Sequence, residues 1–134
     1  MEREALKKIF DAKRQKTDKN GKIVQGFRTT SFEQFCNWFN LEIFKKGCHY
    51  CGTTNERSFE LYQMQRNKVR PDATRGGKRG KRLEIDRKNP FESYDNLDNI
   101  VWCCYWCNNA KSNFFTEEEF KPIAQAIGEA LKKI

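Results

Sequence analysis

No stretch of the 134 residues approaches the ~18–20 consecutive apolar positions that a bilayer-spanning helix needs. The first residues, MEREALKKIFDAKRQK, also lack the apolar centre of a signal peptide. These absences argue against a membrane partner and against export, so a cytoplasmic protein is expected. Histidine is nearly absent: His49 is the sole example. It lies between two cysteines, where a side chain pointing away from any ion, structural and solvent-exposed, is the expected state rather than ligand or base. Acidic residues are a minority, with 18 Asp and Glu against 26 Lys and Arg, a net charge of +8. Such an excess suits a polyanionic partner, because cations that neutralise phosphates release condensed counterions. At this length, with 37% hydrophobic residues, one domain with a modest core is expected.

Six cysteines would suggest disulfides in a secreted chain. Without an export signal they read instead as metal ligands. Cys48 and Cys51 form one CxxC pair, and Cys104 and Cys107 form another after 52 intervening residues. Zinc in structural sites takes four tetrahedral ligands, and four thiolates need no others. Cys103 competes with Cys104 for the fourth position, but the CxxC spacing favours Cys104. Such an ion would contribute to folding directly.

Helices are expected at both ends and between. Residues 2–14 place Ala5, Ile9 and Ala12 with Leu6 and Phe10 on one amphipathic stripe. A turn follows at Asn20-Gly21, and KIVQGFRT is read as a strand. Thr30 or Ser31 begins a second helix by a capping box, which Lys45-Lys46-Gly47 ends. Cys36 falls on its apolar face, with a buried structural role expected. Thr53 is read as the start of a third helix. A last one begins at Thr116, capped by Glu119, with Pro122 expected to kink or restart it. Between Arg66 and Arg82 eight cations meet only Asp72, and Pro71 and three glycines favour a loop. Arg75, Lys78, Arg79, Lys81 and Arg82 are therefore read as contacts to a nucleic-acid backbone.

The segment from Leu83 to Lys111, LEIDRKNPFESYDNLDNIVWCCYWCNNAK, sets an apolar run ending in Asp86 ahead of Asn99-Ile100-Val101-Trp102 and the second CxxC. With the first CxxC and the following Asn108-Asn109-Ala110-Lys111-Ser112, this order resembles the HNH endonucleases, also called His-Me finger or ββα-metal nucleases. The resemblance covers Cys48 to Phe115, about half the chain. It implies an α+β fold with a zinc-stapled ββα-metal core at 48–115, carrying the basic loop 66–82. Residues 1–47 would be a basic, aromatic-rich helical region packed on that core and 116–134 a terminal helix, all in one compact domain. By the same resemblance Asp86 and Asn108 would hold a catalytic divalent cation such as Mg2+. Asn99 would brace the hairpin loop, and Lys111 would stand near the phosphate.

The family's general base is a histidine directly after the acid, and here that position is Arg87. A guanidinium is not deprotonated in proteins and cannot serve as a base. Three readings are open. Arg87 could clamp the scissile phosphate while the metal, Glu84 or His49 activates water; the domain could keep the scaffold without cleavage; or the register could differ. An Asp-Arg dipeptide here also looks like that of some phage-borne HNH-like proteins, which implies a bacterial or phage-encoded chain. The functions in competition are a DNA endonuclease, a nucleic-acid-binding zinc module without cleavage, and a ribonuclease acting as toxin or defence effector. RNA is thus an alternative partner, and a homodimer is compatible with cutting both strands. Taken singly, Asp86, Asn99 and Asn108 would each also serve as ordinary turn or helix caps.

Overall fold

The computed structural model describes residues 1–72 and 79–134. Its centre is a short antiparallel hairpin, β3 (Glu84–Arg87) with β4 (Ile100–Cys103), in the register Glu84 to Cys103, Ile85 to Trp102, Asp86 to Val101 and Arg87 to Ile100. Paired residues share a face. Ile85, Ile100 and Trp102 therefore face the aromatic core, and Glu84 and Asp86 lie on the face that meets α5 (Tyr105–Lys111). Strand, strand and helix follow one another, so this unit is ββα. No helix among the described residues is long and apolar enough to cross a membrane.

Helix α1 (Arg3–Ala12) forms where the stripe predicts and buries Leu6, Ile9 and Phe10. The expected strand after it shrinks to a two-residue pairing of β1 (Lys16–Thr17) with β2 (Ile23–Val24). Both strands are exposed, so nothing buries a longer ladder there.

The single helix expected after Ser31 is two helices. Ser31 and Gln34 form the reciprocal capping box of α2 (Phe32–Trp38), but Phe39 turns extended and Asn40 caps α3 (Leu41–Lys45). The break lets Phe39 and Phe44 meet Trp102 from different directions, with ring centroids at 6.2 and 4.9 Å. Cys36 is half-buried against this core.

In α4 (Asn55–Arg66) the cap is Thr54, one residue later than expected, and its side chain accepts from the Arg57 amide. Helix α6 (Glu117–Lys132) begins on the Thr116–Glu119 capping box and continues through Pro122 without interruption. The missing donor costs one intrahelical bond near the N-terminus, and burial of Phe120, Ala124 and Leu131 on the same helix holds it in line. Gly128 lets that helix approach the first cysteine pair: a Cβ there would stand 3.1 Å from the Cys51 carbonyl oxygen. The buried apolar cluster runs from Leu6 to Ala124 and takes residues from α1, α2, α3, both strands of the hairpin, α5 and α6.

Candidate functional site

Two clusters of chemistry flank the hairpin. The first is sulfur. Cys48 and Cys51 lie in a tight knuckle after α3, where the Cys48 amide donates to Thr53 and the Gly52 amide to Cys48. Gly47 enters it at φ +86, and a Cβ there would meet the Thr53 carbonyl at 2.6 Å, so only glycine serves. Cys104 caps α5 through its sulfur, which accepts from the Cys107 amide at 3.4 Å. The His49 amide donates to the Trp102 carbonyl at 2.8 Å, which ties the knuckle to β4.

The Sγ atoms of Cys48, Cys51, Cys104 and Cys107 all lie within 4.8 Å of one another. Cys103 is outside this group, with its thiol directed at the Cys104 carbonyl, 3.3 Å away. Sulfurs held about 2.3 Å from one tetrahedral ion stand about 3.8 Å apart. Cys51 and Cys104 Sγ are 3.7 Å apart, so the donor set fits such an ion. Contact with the Cys104 and Cys107 sulfurs lowers the Cys51 pKa to about 7, whereas contact with the Cys104, Cys48 and Cys51 sulfurs pushes Cys107 up. Four sulfurs this close cannot all be thiolates unless a cation stands among them. The arrangement can hold a metal.

The second cluster is oxygen and nitrogen. Asp86 is 5% exposed and receives the Tyr50 hydroxyl at 2.6 Å and the Lys111 ammonium at 3.1 Å, both on Oδ2. Lys111 is fully buried and also donates to the Arg87 carbonyl at 2.6 Å. Burial raises the Asp86 pKa above the ordinary carboxylate range, against the pull of Tyr50, Lys111 and Lys13. Burial, with Asp86 beside it, likewise raises that of Tyr50. Asn108 on α5 turns its amide nitrogen to Glu84, 2.9 Å away, and Glu84 is also gripped in a two-pronged pair by Arg79. The structure thus sets Asn108 beside Glu84 and Lys111 beside Asp86, on one face of the hairpin.

Arg87 points elsewhere. The residue is 9% exposed, and its guanidinium lies 4.7 Å from the Tyr94 ring centroid and donates to the Glu92 carbonyl and to Asn113 Oδ1, each at 3.2 Å. It joins the loop between β3 and β4 to the loop after α5. Asn99, 4% exposed, accepts from the Asn89 amide and donates to the Asn89 carbonyl at 3.0 Å within that first loop. Lys111, expected near a phosphate, is turned inward because a buried Asp86 needs a partner charge. Arg79 and Lys81 are exposed, Arg82 is half-buried, and Arg75 and Lys78 lie outside the described residues. Burial lowers the Arg82 pKa, whereas the Glu84 bond raises that of Arg79. His49 pairs with Glu117 at the surface.

No protein-family model matches the sequence, and no curated protein matches it significantly. Among solved structures, the chain is similar to the rare-cutting HNH restriction endonuclease PacI, a protein described as exhibiting a mechanism of DNA perturbation. The TM-score is 0.58 at 28% sequence identity. The fold is that of the HNH endonucleases. The match covers 78% of this chain and 66% of the PacI chain, slightly less than two thirds of it.

Several parts of this site carry no signal in the sequence. Tyr50 reads only as a spacer between ligands. Lys13 reads as the solvated end of α1, yet its ammonium lies 4.4 Å from the Tyr94 ring centroid and its charge reaches Asp86. Asp95 sits in the hairpin loop but binds the amides of Arg28, Thr29 and Thr30 at 3.0–3.2 Å, across more than 60 residues of sequence.

Proposed function

We propose that the protein is a metal-dependent endonuclease that hydrolyses phosphodiester bonds in DNA, with structural zinc on Cys48, Cys51, Cys104 and Cys107. The observation that carries this reading is the similarity to an HNH restriction endonuclease across 78% of the chain. Asp86 and Asn108 are the residues that would hold a catalytic divalent cation, Mg2+ in the first place. Both polar contacts of Asp86 fall on Oδ2, which leaves Oδ1, and Asn108 keeps its carbonyl oxygen when its nitrogen faces Glu84. Hard divalent cations take such oxygen donors. When bound, the cation supplies Lewis acidity toward a phosphate and makes water a better acid.

Arg87 stands at the usual base position and braces two loops from there, so the proton acceptor must be another group. Glu84 lines the cleft that Asn108 also lines, and we assign the water proton to it. Arg79, Lys81 and Arg82 then face the substrate backbone. A second reading, a zinc module that binds nucleic acid without cutting, is favoured by the Lys111 ammonium already neutralising Asp86.

Incubating the zinc-loaded protein with supercoiled plasmid and with structured RNA, in magnesium, in manganese or without added divalent cation, separates these readings. Metal-dependent plasmid nicking supports the endonuclease. A folded protein that retains plasmid on a gel but cuts nothing in either metal supports the binding module and removes the enzyme.

A further inference from the structure

A cleft of about 250 Å3 runs beside β3, between that strand and the C-terminal end of α1. Lys13 comes to it from α1, Arg79 and Arg82 from the basic segment, and Glu84 and Asn108 from the ββα unit. Three cations thus face one carboxylate, and that carboxylate is already taken by Arg79. Among the described residues no carboxylate lies within 4.0 Å of Lys13 or Arg82.

Uncompensated cations normally extend into water, where they separate at little cost. These do not. Arg82 is half-buried and bonded to the Leu83 carbonyl at 2.8 Å, and Lys13 is held over Tyr94, the ring that also carries Arg87. Glu84 and Asp86 act on these two cations only at longer range, and two cations fixed in a concave site beside polar groups, with no carboxylate in contact, suit an anion rich in acceptors. Guanidinium and ammonium groups together recognise phosphate oxygens in this way.

We infer that this cleft seats a backbone phosphate of the nucleic-acid substrate, and that Lys13 of the N-terminal helix is one of its contacts. The inference rests on the endonuclease reading for the identity of its ligand. It gives α1 a part in substrate binding beyond packing. The segment that precedes the ββα unit by some 70 residues thereby completes the wall facing Asn108.

The test is fluorescence anisotropy of a labelled DNA duplex titrated with zinc-loaded full-length protein, without added magnesium, over a series of KCl concentrations. Lys13→Gln and Arg82→Gln should each weaken binding on the order of five-fold and lower the slope of log K against log salt by about one. Lys13→Arg should bind like wild type, because it keeps a cation in the cleft. Lys133→Gln, at the C-terminal end of α6, should leave affinity and slope unchanged. Wild-type affinity and slope in both Gln variants would overturn the cleft assignment while leaving plasmid cleavage, and so the endonuclease reading, intact. A wild-type protein that binds no duplex at any salt concentration would overturn the cleft together with the DNA substrate.

Discussion

The ammonium of Lys111 lies 3.1 Å from Asp86 Oδ2 with no exposed surface of its own, so the acid at the centre of the hairpin is neutralised from inside the protein. A methionine at position 111 keeps the length and apolar stem but leaves Asp86 without a partner charge. Lys111→Met should cost about 3–5 kcal/mol in urea unfolding. The double variant Lys111→Met with Asp86→Asn should recover part of that loss, and equal stability of single and double variants would show that the pair is not coupled.

The sulfur cluster predicts a division among adjacent cysteines. Cys104→Ser and Cys107→Ser should each abolish tight binding of one zinc ion per chain and unfold the domain, because the ion ties α3 to the start of α5. Cys103→Ser should keep the ion, since its thiol faces the Cys104 carbonyl. Native mass spectrometry gives the stoichiometry and far-ultraviolet circular dichroism the fold. Retention of zinc by Cys104→Ser would remove it from the ligand set.

Arg87 bridges two loops through two separate donors and a ring face. Lysine has one head group on a flexible stem and cannot reproduce the fork. Arg87→Lys and Arg87→Ala should therefore destabilise by similar amounts, about 1–3 kcal/mol, as read by thermal melting. Full stability in Arg87→Lys would mean that only the charge matters.

Burial works to raise the Asp95 pKa, but the Thr30 hydroxyl and the amides of Thr30, Thr29 and Arg28 outweigh it and hold the carboxyl below the ordinary range. Its stabilising effect is full above the unfolded value of about 3.9 and disappears as pH falls through the lower folded value. Asp86 acts oppositely, because its raised folded pKa makes ionisation cost stability as pH rises. The stability difference between wild type and Asp95→Asn isolates the first effect. It should be level above about pH 4–5 and shrink below that, and a difference that grows on acidification would contradict the account.

The sequence made visible what depends on near neighbours. Ser31 with Gln34 and Thr116 with Glu119 are caps whose partners lie three residues on, and both form. Cysteine spacing likewise marked the four sulfurs that converge. What escaped depends on chain distant in sequence. Asn40 breaks a helix so that Phe39 and Phe44 can both reach Trp102, and Asp95 finds its amides on the far side of the core. Lys111 turns inward for the same reason: its partner sits on a strand 25 residues earlier, and no local pattern reports that Asp86 is buried.

The central claim is tested most directly by the single-turnover rate of plasmid nicking at saturating magnesium, comparing wild type with Asp86→Ala and Asn108→Ala, each first shown to be folded and zinc-loaded. The account predicts magnesium-dependent nicking by wild type and a loss of at least roughly 100-fold in both variants, in line with removal of one charge-stabilising group. Nicking that survives both substitutions at the wild-type rate would contradict it.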